Sequence, residues 1–155
     1  MAGKGFWASE EGHVVNLFPP TTETNGLGFG DWMHMKESSH ASIIITCGAI
    51  TNATTVTLYE ASNSSGSSNT AIVFNLASAT STDIFGAISA ATTGGFTTDT
   101  TNNSSFVIEV DASQLTDGKP YIGLHTTTAA ANVFSAVAVL SGRRYAEDIG
   151  LSATD

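Results

Sequence analysis

SFVIEVDASQLTDGKPYIGLHTT, residues 105–127, and NVFSAVAVLSGRRY, residues 132–145, form the stretch from which the fold is read. Phe106, Ile108 and Val110 alternate with Val107, Glu109 and Asp111, the period-two pattern of a half-buried strand. A break at Ala112-Ser113-Gln114-Leu115 and a turn at Asp117-Gly118 lead into a second strand, Tyr121 to His125. Thr126-Thr127-Thr128 then links to a third, Asn132 to Leu140, closing on Ser141-Gly142-Arg143-Arg144-Tyr145. The links are too short for helical crossovers, so the expectation is a three-strand antiparallel unit.

Working outward, His40 to Cys47 is the most apolar strand, and Ile43-Ile44-Ile45 is expected at the centre of the core. A hairpin-sized link, Gly48 to Ala53, joins it to Thr54–Glu60, where Val56 and Leu58 share one face. Asn63-Ser64-Ser65-Gly66-Ser67-Ser68-Asn69 reads as an exposed, mobile loop, and Ala71 to Leu76 as a further strand. Across 77–103 the apolar anchors are Ile84, Phe85, Ile88 and Phe96, with short strands expected around Asp83–Ser89 and Gly95–Thr98, packed over the sandwich. Asp31 to Lys36 alternates as an edge strand with Trp32 and His34 on one side.

Residues 1–20 read as an extended N-terminal arm, loosened by Gly3, Gly5 and Gly12 and stiffened by Pro19-Pro20. A disordered tail is usually poor in aromatics, yet this one carries Phe6, Trp7 and Phe18. It either folds back on its own domain or lies along a partner. About eight strands with short turns and no useful amphipathic helix give an all-β fold. The expected form is a single antiparallel β-sandwich of jelly-roll or Greek-key type over 21–146, with a C-terminal tail at 147–155.

At 155 residues the chain can bury roughly 68–70% of its unfolded surface as one domain, so disulfides are not required. Net charge is −9 with only five Lys or Arg, which argues against a phosphate-backbone partner: Arg143-Arg144 is followed at once by Glu147 and Asp148. No run of 18 apolar residues spans a membrane, and MAGKGFWASEEGH lacks the apolar core of a signal peptide. A soluble, unexported chain is expected. Ser and Thr supply about a quarter of the residues and charged residues 12%, a composition suited to strands joined by polar, uncharged loops.

Chemistry is hard to find. Gly26-Leu27-Gly28-Phe29-Gly30 lacks the Lys-Ser/Thr of a P-loop and the third glycine of a dinucleotide fold. His13, His34, His40 and His125 are scattered without zinc spacing. Glu109, Asp111 and Asp117 lack the glycine-containing loop that wraps calcium, and Asp111 fits an N-cap of the following turn better. Cys47 sits on an apolar strand as an inert thiol. The sequons at Asn52, Asn63, Asn102 and Asn103 arise easily in so Ser/Thr-rich a chain. No enzyme activity, cofactor or metal is expected.

Ser42-Ile43-Ile44-Ile45-Thr46, Ala53 to Leu58, Gly94 to Thr98, Val107 to Ala112, Asp117 to Ile122 and Ala136 to Tyr145 together resemble small virion proteins of tailed bacteriophages. The likeness covers roughly residues 40–146, and Leu140-Ser141-Gly142-Arg143-Arg144-Tyr145 is its most distinctive part. It implies a head-associated structural component, often a cement or decoration protein bound to the capsid exterior as trimers. The implied partners are the major capsid protein and further copies of the chain, and the implied location is the outer shell of the virion after synthesis in the host cytoplasm. Phe6, Trp7, Phe18, Trp32, Arg143, Arg144 and Tyr145 are the candidate interface residues, with the aromatics equally readable as core. Two alternatives stand beside it. One is a head- or tail-associated module that binds glycans or a host surface, with Trp32 and the Asn63–Asn69 loop lining a shallow site. The other is an acidic hydrolase with two carboxylates about 5–10 Å apart.

Overall fold

The computed structural model describes residues 12–23, 28–80, 82–127 and 131–143. Within them the strands are β1 (His13–Glu23), β2 (Gly28–His34), β3 (Ser38–Cys47), β4 (Thr55–Ala61), β5 (Thr70–Ala71), β6 (Phe74–Ala79), β7 (Ser89–Ala91), β8 (Phe96–Thr97), β9 (Ser105–Asp111), β10 (Tyr121–Thr127) and β11 (Asn132–Arg143). A 3-10 turn, Ala112–Gln114, follows β9. A six-stranded sheet runs β1-β11-β3-β9-β6-β7 and a five-stranded one holds β2-β10-β4-β5, with β8 paired to β4. All pairings are antiparallel and the sheets pack face to face as an all-β sandwich.

The alternation read from the sequence sets which side chains face inward. Phe106, Ile108 and Val110 of β9 and Ile43 and Ile45 of β3 are buried against Met33, Leu58 and Leu124 from the other sheet. Fully burying one such side chain contributes roughly 1.5–3 kcal/mol. Ile44 departs from the expected triple: it is 40% exposed, because an antiparallel sheet with one solvated face buries every second residue.

Two expectations about connection fail for a common reason. β9, β10 and β11 are not a meander: β9 and β11 flank β3, while β10 lies in the other sheet between β2 and β4. Likewise β3 and β4 belong to different sheets. Two packed sheets lie ~10 Å apart and an extended residue spans ~3.3 Å, so four or five residues arch across as readily as they form a hairpin. Of the connections between consecutive strands, only β4–β5 and β6–β7 stay within a sheet.

Of the stretch read as an arm, the described part folds back on its own domain. Residues 13–20 belong to the edge strand β1, paired to β11 from His13↔Leu140 to Glu23↔Asn132, with irregularities around Phe18. Proline is excluded from central strands for want of an N–H, but an edge strand has one side that needs none. Across 82–88, expected to pack over the sandwich, no strand forms before Ser89. Ile84 and Ile88 are 75% and 65% exposed, while Phe96 alone of the anchors packs inward, against Phe74 and Phe106.

Polar side chains hold the arches. Buried Asn132 donates through Nδ2 to Asn52 O and Thr54 Oγ1, both at 2.7 Å, and accepts at Oδ1 from Thr51 N–H at 2.7 Å, fixing the β3–β4 link. Glu60, 2% exposed at the end of β4, accepts the Thr116 N–H at 2.8 Å and lies 3.4 Å from Lys119 Nζ, fixing the β9–β10 link. Within that link Gly118 takes φ +82°, as the Asp117-Gly118 turn requires.

Burial disfavours the Glu60 carboxylate, but the Thr116 N–H and hydroxyl and the Lys119 ammonium outweigh it and hold its pKa below the ordinary carboxylate value. A depressed folded pKa means stability present above the unfolded value and lost as pH falls through the folded one. Glu60→Ala is expected to cost about 2 kcal/mol in urea unfolding at pH 7, since it takes the acceptor from the Thr116 N–H and leaves Lys119 Nζ with Thr70 Oγ1. Glu60→Gln should weaken the fall in stability between pH 5 and 3. An unchanged acid limb would contradict the assignment.

Candidate interaction surfaces

The outer faces of the two sheets differ in chemistry. On the six-stranded sheet, register aligns side chains across strands. One row reads Val14–Val139–Ser42–Glu109–Asn75 and the next Asn16–Val137–Ile44–Val107–Ala77. The β6–β7 pairing ends at Leu76↔Ser89, and Ile88 immediately precedes it in the chain. Ile88, Ile44 and Val14 are exposed, so aliphatic side chains cross much of a sheet face that a solvated sandwich normally covers with polar groups.

At one end of this face lies an ionic cluster. His40 Nδ1 is 2.8 Å from Asp111 Oδ1, and Nε2 is 2.7 Å from Glu109 Oε2. Ser42 Oγ donates to the same Glu109 oxygen at 2.6 Å. Both ring nitrogens face carboxylate oxygens, an arrangement that favours the doubly protonated ring. Burial opposes the charge, but the bonds to Asp111 and Glu109 and the charges of both acids raise the pKa above 6.5. Asp111 also stands at the N-cap of the 3-10 turn, its N–H donating to Gln114 Oε1 at 2.8 Å. Ser42, His40 and Asp111 superficially suggest a nucleophile, base and orienter. Yet Ser42 Oγ is 3.5 Å from His40 Nε2, and that nitrogen is already occupied by Glu109, so the ring cannot act as a base toward Ser42.

The outer face of the five-stranded sheet carries an aromatic cluster. Trp32 lies over Gly123 and under Gly66: a Cβ at either glycine would fall 2.6 or 2.5 Å from the indole. Gly66 belongs to the Ser/Asn-rich loop, which is folded rather than loose. Asn63 Oδ1 accepts the N–H groups of Ser65 and Ser67, each at 3.1 Å, and Asn69 Nδ2 donates to Gly66 O at 2.8 Å. Phe29 stacks on Trp32 at 5.0 Å and meets Tyr59 at 5.0 Å and His125 at 4.6 Å. Phe29 is 38% exposed, whereas Trp32 is 7% exposed beneath the loop.

The candidate interface residues thus scatter. Phe18 is buried in the chain's own core, edge-on to Phe134 at 5.9 Å, and Trp32 is covered within its own sheet. Neither serves as an exposed anchor. Arg143 ends β11, its backbone paired to Ser38. Phe6, Trp7, Arg144 and Tyr145 lie outside the described residues. Cys47 is buried, and burial pushes its thiol up to about 11.

Shallow depressions lie on the surface of the described residues. One of about 210 Å³ is lined by Met35, Leu115 and Asp117, and one of about 510 Å³ by Thr80, Asp83 and Asn102. In neither do two carboxylates meet. Among the described residues no group of three His, Cys, Asp or Glu is arranged to hold a metal ion, and no helix is long and apolar enough to cross a membrane.

Sequence reasoning missed Phe29, His40 and Ile88 as surface features. The cross-strand neighbours that define them come from register, which the chain does not spell out. No family model matches the sequence, and no curated protein or solved structure is significantly similar to it.

A raised folded pKa gives stability that is fully present below the unfolded value of 6.5 and lost as pH rises through the folded value. His34 moves the other way: burial and the Lys36 charge lower its pKa, with Glu37 opposing. NMR titration should place the His40 midpoint above that of His34. His40→Gln should flatten the decline of stability on the alkaline side of pH 6.5. The reverse order of midpoints would refute the clamp.

Proposed function

We propose that this chain is a non-enzymatic structural protein of a phage virion. In this reading it is a capsid cement or decoration protein that bridges major capsid subunits on the outer head surface and stabilises the shell. The observation that carries the reading is the set of large apolar side chains held out of the core on a rigid scaffold: Ile84, Phe85 and Ile88 at one rim, Val14 and Ile44 on the adjoining face. Single exposed hydrophobics are ordinary, but a row continued by register across strands marks a surface made for contact with protein.

The resemblance of residues 40–146 to small virion proteins supplies the kind of neighbour. The charge supports the outer surface, because a −9 chain is repelled by packaged DNA. Cementing lowers the free energy of a closed shell by linking adjacent subunits. Each copy need add only a few kcal/mol when many act together. Trimers, as the resemblance implies, fit that role by presenting several docking surfaces at once. Particles assembled without the protein are expected to release DNA at lower temperature or lower ionic strength than complete ones. The isolated chain should restore them and sediment with them. Particles equally robust with and without it would defeat the proposal.

A second reading, a head- or tail-associated module that adheres to glycans or a host surface, is favoured by one observation. Phe29 presents an aromatic face beside the hydroxyl- and amide-rich Ser62–Asn69 loop. The loop covers Trp32, so the stacking ring is Phe29 and not the tryptophan first considered. On this reading a glycan array gives binding that Phe29→Ala abolishes while thermal stability stays within about 1 kcal/mol. An array without signal removes it.

A further inference from the structure

We propose that the outer face of the six-stranded sheet is where copies of this chain bind one another. This rests on the reading of the protein as one that works by contact, and it specifies which face is used for self-contact.

Three observations lead to a second copy as the occupant. The first is apolar continuity: Val139 and Val14, then Val137, Ile44 and Val107, lie side by side by register. Ser42, Thr46 and Ser135 between and beside them are small and uncharged, and Thr46 and Ser135 bond each other across the strands. Such rows interdigitate with a like surface without stranding a charge.

The second is charge. Two copies of a −9 chain repel, so they meet where uncompensated charge is least. Of fourteen acidic residues, Glu109 and Asp111 are the ones whose described side chains stand on this face, and both are hydrogen-bonded to the His40 ring. Glu109 interrupts the first row beside Ser42 and Asp111 stands opposite His40, while the second row, with Val137, Ile44 and Val107, carries no charged side chain. A basic partner would instead be expected to meet acids free of such a clamp.

The third is area. Five strands ~4.8 Å apart and seven paired residues at ~3.3 Å give a face of roughly 24 by 23 Å, about 550 Å². Two such faces together come to ~1,100 Å², above the ~1,000 Å² that a specific interface needs. The other sheet has no equivalent surface, since the Ser62–Asn69 loop covers part of it.

The test is sedimentation equilibrium and native mass of the full chain at about 100 μM, alongside Ile44→Glu, Val137→Glu and the milder pair Ile44→Thr and Val137→Thr. The Thr variants keep a β-branched side chain and guard against loss of folding, which far-UV circular dichroism monitors. The expected result is an oligomeric wild type. Folded Glu variants should associate at least tenfold more weakly, and the Thr pair should be intermediate. Phe29→Ala, on the opposite sheet, should keep the wild-type mass. A monomeric wild type, or folded Glu variants with unaltered mass, overturns the inference. Co-sedimentation with shells separates the two proposals. A monomer that still binds shells defeats this inference alone, and an oligomer that ignores shells defeats the cementing role alone.

Discussion

A chain that changes sheet at most of its connections must carry backbone N–H and C=O groups past the ends of an apolar core, where some of them are shielded from water. An unpaired buried group costs about 1–3 kcal/mol, so each arch needs a partner supplied by a side chain. Asn132 supplies it at one arch, where its amide serves the backbone of Thr51 and Asn52 and the Thr54 hydroxyl. At another arch Glu60 supplies it, with Lys119 balancing the charge. Neither residue lies on a surface that would bind anything. Both decide whether the two sheets keep their relative position, and so whether any surface is presented rigidly.

That scaffold was legible in the sequence where a property belongs to one strand at a time. Phe106, Ile108 and Val110 announced their own burial, and Asp117-Gly118 its own turn. What was not legible belongs to pairs of strands. Ile44 reads like Ile43 and Ile45 until β9 and β11 are placed on either side of it and its side chain is seen to point outward. The Gly48–Ala53 link reads as a hairpin because length alone does not tell a turn from an arch. His13 to Phe18 read as a short strand at the end of an arm, and only the pairing with β11 tells that it lies on its own domain. Phe29 sat in a glycine-rich loop by sequence. Only pairing between β2 and β10 brings it onto Trp32 and His125.

The two outer faces divide the surface into an aliphatic side and an aromatic side. On the aliphatic side Val137, Ile44 and Val107 run side by side, and Glu109 and Asp111 are tied to His40. On the aromatic side the indole lies between two glycines, and a ring of lower accessibility cost, Phe29, faces outward. Gly66 and Gly123 are the positions that make this layering possible, because any larger residue at either would lever the indole out. The division gives a protein with a rigid middle two different surfaces to offer, without any change of conformation between them.

Pro19 and Pro20 have an effect beyond their own strand. They interrupt the exposed edge of β1 midway, where an unbroken row of donors would otherwise template further strands. An unbroken edge of that kind is a known starting point for fibre growth when molecules meet at high concentration. With the row broken at the two prolines, the edge is a poorer template for an added strand.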